Sequence, residues 1–154
     1  FRNKWKIFIE PEIRIYTNQI INGEKLPKEA SKIDMKMLSW TTKEEEGYHI
    51  EAKNLCENNW TKSSGATVSS TYQLNRYINK GISHFISGYY PSNGCICGYI
   101  LNGQSEIIIN KLNNILRKKS LNELQISKNI NKHSMIYKIM DDQLDVINIF
   151  FDLN

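Results

Sequence analysis

In the stretch "YHIEAKNL" an otherwise apolar run carries a carboxylate, Glu51, and an ammonium, Lys53, two residues apart. Alternate residues of a strand share a face, so these charges project together while Ile50 and Ala52 project to the other side. A second carboxylate, Asp34, stands in "KIDMKML", where Ile33, Met35 and Met37 alternate with Asp34 and Lys36 in the period of a half-buried strand. If the polar "SWTTKEEEG" between them is the loop of an antiparallel hairpin, opposed residues have numbers summing to roughly 87, and any odd sum gathers Asp34, Glu51 and Lys53 on one face. Two carboxylates a few ångströms apart repel, and a divalent cation relieves the repulsion. Mg²⁺ in particular is held by one or two carboxylates, with waters and a substrate phosphate completing its shell. A lysine beside them could orient a water or stabilise charge developing on phosphorus. The trio therefore has the parts for phosphodiester hydrolysis. The same spacing also describes a solvated strand face with an exposed ion pair, worth about 0–1 kcal/mol, and spacing alone favours that plainer reading.

The elements that must position these residues can be followed along the chain. Ile13, Tyr16, Ile20 and Ile21 fall near helical spacing after Pro11, which predicts a helix from Pro11 to about Asn22. Strands follow from Ile33 to Ser39 and from Tyr48 to Lys53. Leu74, Tyr77, Ile78, Ile82, Phe85 and Ile86 then form a helical stripe. Gly81 lies in that stripe at a cost of about 1 kcal/mol, which predicts close approach of this helix to the sheet. "CICGYIL" is apolar on both alternating faces, the mark of a central strand covered on both sides. A further helix is expected from Gln104 to Lys118. "HSMIYKIM" and "DVINIFFDL" around "DDQL" read as a terminal hairpin. The expected order is helix, two strands, helix, strand, helix, two strands, in one domain spanning 1–154.

Composition narrows the class. Hydrophobic residues at 40% and charged residues at 23% are near the globular average, so a packed core is expected. The apolar runs are all far shorter than the roughly 20 residues that span a bilayer, so no membrane association is expected. Three cysteines, an odd number without zinc-type spacing, point to a reducing, cytoplasmic setting, with Cys95 and Cys97 as core packing. A formal charge of +4 suits a polyanionic partner. The chain opens at Phe1 with neither a methionine nor a signal-peptide pattern, as a piece of something longer would.

Asp34 followed by Glu51-Ala52-Lys53 on two strands resembles the PD-(D/E)xK nuclease superfamily. The later pattern of Tyr77, Gly81, Phe85, Gly88, Tyr90, Gly98 and Tyr99 is similar to that of a small bacterial and phage group within it. The resemblance covers about Glu10 to Leu101. It implies an α/β, restriction-endonuclease-like fold, a mixed central sheet flanked by helices. It implies a nuclease dependent on Mg²⁺ or Mn²⁺, acting on DNA, with RNA left open, in restriction, phage defence or repair. Asp34 and Glu51 would be the metal ligands and Lys53 the catalytic lysine. An acid of the first helix, Glu10 ahead of Glu12, would complete the site. Ile33 stands where the superfamily often has proline, and His84 where the group tends to have arginine. Gln73, Arg76, Lys80 and His84 on the polar side of the second helix are candidates for contact with DNA phosphates. His49 is expected to turn away from Glu51 in a structural role. The alternative is a catalytically silent nuclease-like module that binds nucleic acid or a partner protein. A domain this small would gain specificity as a homodimer or with a partner subunit.

Overall fold

The computed structural model describes residues 7–40, 45–91, 94–131, 134–140 and 145–153. The loop tip at Lys43 and Glu44, the "DDQL" turn, Trp5 and His133 lie outside them. The first element is a strand, β1 (Ile7–Ile15), followed by a single helical turn, α1 (Asn18–Ile21). This corrects the helix predicted from Pro11. "IFIEPEIRI" alternates as well as it winds, and pairing with β2 (Ser31–Trp40) decides the matter. Pro11 is tolerated because β1 is an edge strand, where an absent N–H leaves no ladder bond unmade.

β3 (Glu45–Cys56) pairs antiparallel with β2. A small hairpin, β4 (Trp60–Thr61) with β5 (Thr67–Val68), leads into the longest helical stretch. That stretch begins as α2 (Ser70–Arg76), widens into π-helix over Tyr77–Ile82, and finishes as α3 (Ser83–Ile86). The Ser69 side chain caps its start by accepting from the N–H of Tyr72. β6 (Gly94–Asn102) runs parallel to β3, as a helical crossover requires. α4 (Ser105–Lys118) precedes β7 (Gln125–Asn131), β8 (Ser134–Met140) and β9 (Asp145–Asp152). The sheet is mixed, in the order β1-β2-β3-β6-β9-β8-β7, with β6 at its centre as the doubly apolar "CICGYIL" requires. β8 and β9 form the expected terminal antiparallel pair, while β7 is an edge strand that the polar "QISKNIN" did not announce.

Both longer helical segments lie over one face. A Cβ at Gly81 would stand 3.4 Å from the Ile96 side chain, which is the close approach predicted for that glycine. Tyr77 stacks on Phe150, and α4 contributes Ile108, Leu112 and Leu116 to the same core. Gly98 is required beneath them: a Cβ there would meet Phe150 at 2.7 Å and Leu55 at 2.9 Å. By strand parity this covered face is the one that carries Glu51 and Lys53. On the opposite face Met35, Tyr48, Ile50, Tyr99, Ile149 and Phe151 are partly buried around the buried Cys95 and Cys97, which are free thiols.

One polar pair is locked into the core. The Tyr77 hydroxyl donates to Asn148 Oδ1 at 3.0 Å, and Asn148 Nδ2 donates to the carbonyl of Val146. Both residues are fully buried, so Tyr77→Phe strands an amide oxygen away from water. The expected loss is about 1–3 kcal/mol, read as a lower urea midpoint at unchanged slope. A variant as stable as the wild type would mean that Asn148 finds another donor.

Candidate active site

The β2–β3 ladder runs from Trp40 opposite Glu45 to Met35 opposite Ile50 and ends there. Met37 faces Tyr48 rather than Ile50, a shift of two residues from the expected register that preserves its parity. Beyond this point the strands part. The N–H of Ala52 donates at 2.7 Å to Asp34 Oδ2, a side chain, instead of to a backbone carbonyl of β2. Asp34 is thus fixed at the fork, with its side chain about half exposed.

Lys53 is 6% exposed and Glu51 4%, so both charges sit beneath the helices and can persist only paired. The Lys53 ammonium donates to Glu51 Oε1, to the carbonyl of Ala52 at 2.9 Å and to Asp34 Oδ2 at 3.4 Å. Three oxygens from two strands therefore converge on one cation. Glu51 Oε2 is buried and has no hydrogen-bond partner. Burial raises the carboxyl pKa of Glu51; the neighbouring ammonium opposes that shift and Asp34 adds to it.

The crossover brings two further groups to the trio. After α3 the chain turns at Gly88, whose φ of +70° suits a residue without Cβ, and the N–H of Tyr90 closes on the carbonyl of His84 at 2.9 Å. Tyr90 is thereby laid into the site. Its phenol pKa is raised by burial and then by the charges of Glu51 and Asp34. The His84 ring packs 4.5 Å from that of Tyr89 and 4.9 Å from that of Tyr90, with a buried Nδ1 that has no partner. Burial first, and then the charges of Lys80 and Lys53, lower its pKa, which disfavours the charged ring that a phosphate contact would use.

Asp34, Glu51 and Lys53 are brought together as their spacing predicted. Glu10 is not at a helix start: it lies in β1 opposite Lys36. Glu12, at a φ of +51°, is ion-paired with Lys32 at 2.9 Å. Among the described residues no group of three or more His, Cys, Asp and Glu side chains stands together as a metal cage, so neither acid joins Asp34 and Glu51 in one. Arg76 and Lys80 are exposed on the helix, with Gln73 half-buried beside them. His49, two residues before Glu51, shares its face, which corrects the expectation that it turns away. The part of Tyr90 was missed, although "SGYY" carries the turn glycine that delivers it.

The fold and this cluster define a mixed α/β protein with a buried lysine held between two carboxylates at a fork in the sheet. No family model, curated protein or solved structure matches the chain. No helix among the described residues is long and apolar enough to cross a membrane.

Proposed function

We propose that this chain is a nuclease of the PD-(D/E)xK type, on a restriction-endonuclease-like fold, that hydrolyses phosphodiester bonds in DNA with Mg²⁺ or Mn²⁺. The reading is carried by one observation: Asp34, Glu51, the carbonyl of Ala52 and Lys53 meet where β2 and β3 part. A solvated surface ion pair would not be buried to this degree, nor would it divert a backbone N–H from the ladder.

The donor set fits a hard divalent cation. It consists of oxygens alone, one of them the orphaned Glu51 Oε2, and Mg²⁺ is bound through one or two carboxylates rather than a full protein cage. Asp34 and Glu51 would hold the ion, and when bound it would neutralise them and polarise the scissile phosphate. Asp34, half exposed, presents its carboxylate toward solvent and substrate, while the hydrogen bond from Ala52 fixes its orientation. Glu51 is immobilised by burial. Lys53 supplies a positive N–H donor where charge develops on phosphorus, in surroundings dry enough to strengthen that contact.

The test is incubation of the purified protein with supercoiled plasmid and with single-stranded circular DNA, in Mg²⁺, in Mn²⁺ and in EDTA. Cleavage in either metal and none in EDTA is expected. Intact DNA of both forms in both metals would leave the silent binding module as the better reading.

A further inference from the structure

The helical stretch that covers the site also carries a row whose first three members face solvent and whose last packs beside the site. Tyr72, Arg76, Lys80 and His84 follow one another at intervals of four. Leu74, Tyr77, Ile78, Ile82 and Phe85 occupy the buried side. On an ordinary 3.6-residue turn each four-residue step drifts about 40°. The wider turn of the π segment takes part of that drift back, so the row stays along one flank. Its last member reaches the site: the His84 ring packs 4.9 Å from that of Tyr90.

Three features give the row a ligand. Tyr72 is 64% exposed. Arg76 and Lys80 form no ion pair among the described residues, whereas Lys32 and Arg117 each have a carboxylate partner. No Asp or Glu occurs between Glu57 and Glu106, so the segment bearing these cations has no acid of its own. Unpaired cations in line suit successive phosphates, and an exposed tyrosine ring suits the face of a base. Bases of a duplex are stacked on one another and closed to such a ring, which leaves only an unpaired strand to use Tyr72 together with Arg76 and Lys80.

We infer that this row is a track for single-stranded DNA. Tyr72 stacks on a base about 18 Å from His84 along the helix, and Arg76 and Lys80 hold the phosphates between that base and the site. The inference takes its destination, the Asp34–Glu51–Lys53 centre, from the nuclease reading, but the binding itself does not depend on it.

Fluorescence anisotropy in EDTA, with a labelled oligothymidylate and a duplex of equal length, tests the inference apart from cleavage. The wild type should bind the single strand more tightly. Tyr72→Ala should weaken that binding about tenfold, and Tyr72→Phe should restore it. Arg76→Ala with Lys80→Ala should reduce the slope of log affinity against log salt by about 1.4. Lys118→Ala with Lys119→Ala, which removes equal charge from the end of α4, should leave it nearly unchanged. Preference for the duplex, an unaffected Tyr72→Ala, or an equal loss from the α4 pair would each overturn the track. Metal-dependent cutting of plasmid without single-strand binding would sink the track and keep the nuclease. Single-strand binding lost in Tyr72→Ala, without cutting of any DNA, would keep the track and sink the nuclease.

Discussion

Asp34→Ala and Glu51→Gln are each expected to slow metal-dependent cleavage about 10³-fold or more while leaving DNA affinity within about twofold. Each change removes a carboxylate that would hold the proposed cation, and several kcal/mol of barrier correspond to that factor. Affinity should survive because it resides in phosphate contacts elsewhere on the surface. Single-turnover cleavage in Mg²⁺, beside binding in Ca²⁺, separates the two quantities. The variants should also differ from each other. Asp34 is half exposed, so its loss should disturb the fold little. Glu51→Gln leaves a buried ammonium facing a neutral amide and should lower stability as well. Wild-type cleavage rates in both repurified variants would end the assignment.

Lys53→Met should be as damaging to cleavage, and its other effects are more diagnostic. Without the ammonium, Glu51 is a buried carboxylate with no counter-charge, and breaking such a pair costs about 3–5 kcal/mol. Its carboxyl pKa, already raised by burial, should rise further. Glu51→Gln added to Lys53→Met should return much of the lost stability, since the stranded charge is gone. Urea unfolding of the two single variants and the double variant measures that coupling. Calorimetric titration should show that Lys53→Met binds Ca²⁺ more tightly than the wild type at a pH where Glu51 is ionised, because Lys53 no longer competes for the same oxygens. Additive stability losses, or weaker Ca²⁺ binding at such a pH, would mean that the lysine is not the cation's rival.

The site could be read from parity because parity survives an error of register. A two-residue slip moved the β3 partner of Met37 from Ile50 to Tyr48 and changed nothing about which side chains share a face with Glu51. What could not be read was the depth of that face. Asp34, Glu51 and Lys53 have the same spacing on a solvated hairpin, and only the later segment from Ser70 to Tyr90, folded over them, makes two of them buried. β1 was misread for a local reason. "IFIEPEIRI" satisfies both periods over a few residues, and a proline at its centre favours a helix start unless the strand is known to be an edge. β7 gave no signal because "QISKNIN" is a mostly solvated edge strand that buries little. Gly81 and "CICGYIL" were legible for the opposite reason: close approach and double-sided cover leave marks in composition.

The parallel joining of β3 to β6 sets an order on the life of the nascent chain. β1, β2 and β3 meet through short connections, whereas the helices that cover Glu51 and Lys53 belong to the crossover made afterwards. Until that crossover closes, the hairpin exposes an apolar strand of the kind that associates with copies of itself. Asp34, Glu51 and Lys53 then stand in water on its face, where charge interrupts such association. The charges that the finished protein gathers at the fork, two of them buried, would serve the nascent chain first as gatekeepers of solubility.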